Sequence, residues 1–278
     1  MSPSADHSAA AAPASLLDPP TLLDPDEPPA VAVTNAAGRS PFVITCDHAS
    51  NRVPRRLADL CLPASELARH IAWDIGALAV ARRLSAALDA PLIAAGYSRL
   101  VVDLNRPAHA ADRMPETSDG TVVPANRELT EADRGLRIAA LFQPYHQAVA
   151  ELLDARVAAG RPSLLVCLHS FTPQLAGRAP RPWHVGTAGG ADKRMAQALA
   201  AELAREAGLV VGYDQPYAIG PDSDYGLPVH GDGRGIPAVL IEIRQDGVAD
   251  DAGAAAWADR LARALPAIAP DLLSGKTR

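Results

Sequence analysis

Two histidines and one glutamate stand where short apolar runs of the sequence end. Phe42–Cys46 leads into Asp47-His48-Ala49-Ser50-Asn51, and Ser163–Leu168 leads into His169-Ser170. The run Ala238–Ile243 carries Glu242 and passes to Arg244, Gln245 and Asp246. A fourth run, Leu100–Leu104, contains Asp103 and is followed by Asn105-Arg106. Two neutral imidazoles at neighbouring strand ends suit a divalent metal, zinc above all, which takes histidine nitrogen at about 2.0–2.1 Å. A catalytic zinc also needs a third protein ligand, an open position and a carboxylate that removes a proton from the attacking water. Glu242 is the candidate for that base, because a lone carboxylate inside an apolar strand is unfavourable without a role or a partner. The competing reading is an internal ion pair with Arg99 or Arg244. Asp74, in His70-Ile71-Ala72-Trp73-Asp74, is the candidate third ligand, with Asp47 and Asn51 as alternatives beside His48.

Arginines give the clue to substrate. Arg99, Arg106 and Arg244 fall on or beside the expected strand ends, and a guanidinium grips a carboxylate through two parallel hydrogen bonds. Such a set implies a small anionic substrate, with Asn105 and Ser170 as further polar contacts. The competing reading is salt bridging to Asp103, Asp246 or Glu242. His70, His109, His146 and His184 have weaker claims, and for His146 a surface or interface position is expected. His230, in His230-Gly231-Asp232-Gly233-Arg234-Gly235, belongs to a glycine-rich loop that could close over the pocket.

These residues need a scaffold that brings four chain segments to one rim. The strand candidates are Phe42–Cys46, Pro91–Ala95, Leu100–Leu104, Ser163–Leu168, Leu209–Gly212 and Ala238–Ile243, all short and apolar as buried strands are. The helix candidates, rich in Ala, Leu, Arg and Glu, are Ala64–Leu88, Glu131–Ala159, Ala191–Ala207 and Asp251–Ala267, the second of them shortened or kinked at Pro144. Their alternation implies a three-layer α/β/α sandwich around a mixed, mostly parallel sheet, whose sites lie beyond the carboxyl ends of the strands. Residues 1–37, rich in Ala, Pro, Asp and Ser, read as a disordered or loosely packed leader; 38–270 read as one domain and 271–278 as a tail.

The chain has 278 residues, 48% hydrophobic and 21% charged, with a formal charge of −6. That length and composition allow one sizeable core, and the acidic balance argues against a nucleic-acid partner. No apolar run reaches the roughly 18–20 residues of a membrane span. The start lacks the basic and apolar segments of a secretory signal. Three cysteines without a CxxC pair fit free thiols in a reducing compartment, so a cytoplasmic location is expected, with Cys46 and Cys167 as buried inert thiols.

The motifs CDHASNRVP, HIAWDIGA, YSRLVVDLNRP, LHSFTP, GRAPRPWHVGT and PAVLIEIRQD, in this order over roughly residues 40–268, resemble the N-formylglutamate amidohydrolase family. The resemblance implies a carboxypeptidase-like fold and hydrolysis of an N-acyl amino acid, with N-formyl-L-glutamate yielding formate and glutamate. In the wider group, which includes zinc carboxypeptidases and aspartoacylase, the metal motif is His-x-x-Glu followed by a distant His. His48 then corresponds to the first ligand, His169 to the second and Glu242 to the general base. Asp103-Leu104-Asn105-Arg106 matches the segment whose Asn and Arg hold the substrate carboxylate, and Arg99 the arginine that polarises the scissile carbonyl. One departure is plain: Asn51 stands where that group has its ligating Glu, so Asp74 is expected to substitute.

Two other readings remain open at this point. One is a different amide on the same fold, such as a cell-wall amidase or another N-acyl-amino-acid hydrolase. The other is a non-catalytic anion-binding protein that Asn51 would favour. Neither the acyl group nor the oligomeric state follows from the sequence.

Overall fold

The computed structural model describes residues 21–220 and 222–274. Its first strands are β1 (Val31–Thr34), β2 (Phe42–Cys46) and β3 (Leu92–Ala95), followed by a short hairpin of β4 (Thr117–Ser118) and β5 (Thr121–Val122). The remainder are β6 (Leu164–Phe171), β7 (Val185–Ala188), β8 (Val211–Tyr213) and β9 (Ala238–Arg244). The main sheet has seven strands in the order β1-β3-β2-β6-β9-β7-β8. Its centre, β3-β2-β6-β9, is parallel. β1 runs antiparallel to β3, while β7 runs antiparallel to β9 and parallel to β8. The helices are α1 (Ala64–Leu67), α2 (Ala77–Leu88), α3 (Glu131–Arg137), α4 (Gln143–Ala158), α5 (Arg194–Leu203), α6 (Gly226–His230) and α7 (Asp251–Leu273). This is the mixed, mostly parallel α/β/α sandwich that the alternation of runs implies.

Strand parity divides the core in two. Phe42, Ile44, Leu164, Val166, Leu168 and Ile241 face α2, α5 and α7. Val43, Ile93, Leu165, Cys167, Ala238 and Leu240 face α4 and the loops around it. Because side chains alternate along a strand, His169 shares the second face with Leu165 and Cys167, and Glu242 shares it with Ala238 and Leu240. The parallel register sets His169 directly beside Glu242. Trp257, Leu261 and Leu265 of α7 close the first face, each side chain contributing roughly 1.5–3 kcal/mol by burial. Cys46 and Cys167 are buried free thiols, and burial drives both far towards the neutral form.

Several expectations need correction. Leu100–Leu104 is not a strand. Its backbone is held by side chains instead, with the Asn126 amide donating to the Leu100 carbonyl at 2.8 Å and the Arg137 guanidinium to the Val101 carbonyl at 3.0 Å. An apolar run reports burial, and both edges of β3 are occupied, by β1 and by β2. β1 itself lies within the supposed leader, and Leu22 is buried as well. Residues 1–20 of that leader lie outside the described residues. So do 275–278 of the supposed tail, whereas 271–273 complete α7. The last helix continues through Pro266 and Pro270 rather than stopping near Ala267. The Glu131–Ala159 helix carries a π-helical turn at Ile138–Phe142, so Pro144 sits in the first turn of α4, where its missing N–H is not needed.

The expected helix Ala64–Leu88 breaks between α1 and α2, and the break is useful. The Asp74 N–H donates to the His48 carbonyl at 2.9 Å, and the Arg99 N–H donates to the Ala72 carbonyl at 3.2 Å. Gly76 then turns the chain into α2 with φ of 79°, and a Cβ there would collide with the Val248 carbonyl. Gly76→Ala should therefore lower stability by about 2–3 kcal/mol in denaturant unfolding. Unchanged stability would contradict this account of the turn.

Candidate active site

At the carboxyl ends of β2, β6 and β9 lies a cleft of about 360 Å³. His48, His169, Asp74, Arg99, Asn105, Arg106, Ser170 and Glu242 all line it. The two imidazoles meet edge to face with ring centroids 5.0 Å apart. His48 Nε2 lies 2.7 Å from Asp103 Oδ1, and His169 Nδ1 lies 2.9 Å from Asp74 Oδ2. Each ring thus has one nitrogen facing a carboxylate that fixes its orientation. That leaves His48 Nδ1 buried without a hydrogen bond and His169 Nε2 3.0 Å from Asp47 Oδ1.

Asp47, His48 and His169 bring their ligand atoms within 4.8 Å of one another, and this buried group could hold a metal ion. The donor set fits a divalent cation: two imidazole nitrogens and a carboxylate, with His48 Nδ1 and Asp47 Oδ1 lacking hydrogen-bond partners. Asp74, expected as the third ligand, stands beside the group. Its Oδ2 also accepts the Ser170 N–H at 3.2 Å and lies 3.5 Å from His48 Nδ1. This carboxylate therefore fixes the orientation of the His169 ring. Asn51 points elsewhere, its amide donating to the Leu67 carbonyl at 2.9 Å.

The electrostatics follow from burial against charge. Four buried carboxylates, Asp47, Asp74, Asp103 and Glu242, surround the two rings. Burial would favour neutral His169, yet Asp47 and Asp74 overcome it and push the imidazole up to about 10. For His48, burial and Arg99 pull down, and Asp103, Asp47 and Asp74 together raise it. Asp103 resists burial because Arg99 and His48 hold it well below the usual carboxylate range. Glu242 behaves oppositely. Burial outweighs the pull of His169 and lifts it to about 7, and its Oε2 has no hydrogen-bond partner.

The remaining expected residues divide. Arg99 donates to Asp103 Oδ2 at 2.6 and 3.0 Å and lies 3.5 Å from Asp74 Oδ1. Arg106 lines the cleft while bonding Asp112 at 2.8 Å and the Ser223 carbonyl at 2.7 Å. Asn105 is committed to the rim: its amide donates to Asp224 and its carbonyl accepts the N–H groups of Tyr225 and Gly226. Ser170 Oγ donates to the Ile75 carbonyl at 2.7 Å. Arg244 does not line the cleft. It bonds Asp246 at 2.8 Å and the Arg181 carbonyl at 3.1 Å, because the strand end turns it towards the 181–182 segment. Asp103 was visible in the sequence as a rim residue and an arginine partner, but its bond to His48 spans 55 positions with no local signal.

His146 is buried rather than superficial. Its Nε2–H donates to the Leu104 carbonyl at 2.8 Å, so its Nδ1 accepts from His230 Nε2–H at 3.0 Å. The pair therefore ties the Asp103 loop to α6, and His230 supports the rim from within instead of lying in a free loop. Pro216, Tyr217 and Ala218 form a second segment of the cleft wall.

Two buried imidazoles, a carboxylate with one unpartnered oxygen and an arginine share this cleft, and the family that the sequence matches makes the protein a hydrolase acting on amide bonds. The family profile of N-formylglutamate amidohydrolase matches residues 40–249, and the chain belongs to that family. A crystal structure of a gene product from Agrobacterium tumefaciens superposes with a TM-score of 0.87 at 38% identity, covering 91% of this chain and 99% of that one. The N-formylglutamate amidohydrolase of Ralstonia eutropha has the same fold, with a TM-score of 0.68 at 20% identity over 88% of this chain and 98% of that one. No curated protein matches the chain. No helix of the described residues is long and apolar enough to cross a membrane.

The His146–His230 pair generates a prediction. Burial pushes His146 down to about 4 and His230, with His146 beside it, down to about 3. An unfolded histidine titrates near 6.5, so between these values the unfolded chain binds more protons and stability falls with pH. The loss should begin below about pH 6.5 and amount to roughly 3 kcal/mol for His146 alone. Urea unfolding at pH 7.5 and 4.5 should show a smaller difference in the double variant His146→Asn, His230→Asn. An equal difference would contradict the assignment.

Proposed function

We propose that the protein is a metal-dependent amidohydrolase that cleaves N-formyl-L-glutamate to formate and L-glutamate. The observation that carries this reading is Glu242: a buried carboxylate on a cleft wall, poised near neutrality, with one oxygen unpartnered and His169 beside it in register. His48, His169 and Asp47 are the residues to hold zinc, with Asp103 and Asp74 orienting the two rings. A divalent cation bound there supplies Lewis-acid chemistry to the carbonyl and to water.

Hydrolysis adds one water across the amide. Glu242 takes a proton from the water as its oxygen bonds the formyl carbon, then returns a proton to the glutamate nitrogen as the C–N bond breaks. A carboxylate poised near 7 is suited to both transfers, since it is neither too weak a base nor too weak an acid. Arg99, kept charged by Asp103 and Asp74 despite burial, faces the same cleft and offers N–H groups to the developing oxyanion. Arg106 offers a guanidinium to the substrate's α-carboxylate. Asn105 and Ser170, whose side chains are already bonded within the protein, shape the wall. The similarity to the Ralstonia eutropha enzyme supports the choice of substrate.

Glu242→Gln removes the base and keeps the shape. Formate release from N-formyl-L-glutamate should fall roughly 10²–10⁴-fold in kcat with little change in KM. Wild-type activity should disappear with a chelator and return with added zinc. Near-normal turnover by the variant would overturn the role of Glu242, and chelator-insensitive turnover would overturn the metal dependence.

A further inference from the structure

The cations around the cleft are nearly all committed to carboxylates. Arg99 pairs with Asp103 at 2.6 Å, Arg106 with Asp112 at 2.8 Å and Arg69 with Glu66 at 2.6 Å. Arg181 is different. Among the described residues no carboxylate lies within ion-pair distance of its guanidinium, which donates to the Thr172 carbonyl at 3.2 Å. It lies 4.9 Å from the Tyr217 ring centroid and 5.6 Å from that of Phe171. Thr172, Phe171 and Tyr217 are all walls of the cleft. Arg181 is thus a half-buried cation at the cleft rim whose partners carry no opposing charge.

Its placement is built rather than incidental. The Arg181 N–H donates to the Pro173 carbonyl at 2.8 Å, and its own carbonyl accepts from Arg244, at the end of the strand that bears Glu242. The chain leading to Tyr217 packs closely on the sheet. The Gln215 carbonyl sits against Gly186, directly opposite Glu242 in the β7–β9 register, where any Cβ would collide with it. The main chain of Arg181 is thus held at its N–H and its carbonyl, and its guanidinium lies against two aromatic rings. Stacking of this kind leaves the guanidinium edge free to bond a planar anion. Its charge also reaches His70 on the cleft wall, where it opposes protonation after burial has done so.

We infer that Arg181 is a specificity-determining residue, receiving the side-chain carboxylate of the substrate and so selecting N-acyl amino acids with an acidic side chain. This rests on the reading of the cleft as an amidohydrolase site, with Arg106 taking the α-carboxylate. A substrate with an uncharged side chain leaves the Arg181 fork without its anion, and a site built for such a contact discriminates strongly against the ligand that lacks it.

The test compares N-formyl-L-glutamate with its uncharged isostere N-formyl-L-glutamine in the wild type, Arg181→Met and Arg181→Lys. In parallel, calorimetry compares binding of glutarate and pentanoate to the same proteins. The wild type should prefer the glutamate compound by roughly 10–100-fold in kcat/KM. In Arg181→Met that ratio should fall to near one, and the preference for glutarate over pentanoate should vanish with it. Arg181→Lys keeps charge without the fork and should give an intermediate ratio, which also serves if the methionine variant fails to fold. Retention of the wild-type ratio in both variants, or equal losses on both substrates, overturns the inference. If the wild type hydrolyses neither compound, the amidohydrolase reading falls, and the calorimetric preference alone decides for or against Arg181.

Discussion

The organisation of this protein follows from one electrostatic constraint: four carboxylates are buried around two imidazoles, and something must balance them. Arg99 answers Asp103 and, at longer range, Asp74. The remaining carboxylates raise both imidazoles, against the direction in which burial alone would drive them. Buried charge without compensation is strongly unfavourable, so an anionic cluster of this kind must be paid for by protons or by a metal cation. His48 Nδ1 and Asp47 Oδ1 have no hydrogen-bond partner, and together with His169 Nε2 they form a buried group that could hold such a cation.

The fold serves that constraint by delivering each group from a rigid element. Parallel register puts His169 and Glu242 side by side, and the end of β2 supplies Asp47 and His48. The break before α2 brings Asp74 under both rings by a backbone bond to the His48 carbonyl. Asp103 arrives on a loop that no strand holds, and Asn126 and Arg137 fix it through backbone carbonyls. The His146–His230 pair then couples that loop to α6 and the rim. Each device spends polar groups on positioning, which explains why Asn105 and Ser170 touch the cleft with side chains already engaged.

Much of this was legible in the sequence. Apolar runs reported the buried strands β2, β6 and β9, and the polar residues at their ends reported the cleft. The rest was hidden for physical reasons. Leu100–Leu104 has the hydropathy of a strand, because hydropathy measures burial and says nothing about where backbone N–H groups go. β1 is a short, mostly exposed edge strand that directly follows a proline-rich stretch, so its four residues do not stand out from the leader. Asp47 was legible as a neighbour of His48, but that Asp47 and Asp74 face opposite nitrogens of His169 has no local signal in the sequence. Arg244 sat at the right strand end, and only the turn there sends it to the Arg181 carbonyl. Family resemblance located His48, His169 and Glu242 together, while the structure alone revealed what Asn51 does: it ties to Leu67, away from the rings.

The claim on which the account stands is that the anionic cluster holds a metal cation. Equilibrium dialysis of chelator-stripped protein against zinc tests it without recourse to turnover. The account predicts one zinc per chain in the wild type and loss of that zinc in His169→Ala with the fold retained. A wild-type protein that retains no zinc, or a His169→Ala variant that retains a full equivalent, would contradict it.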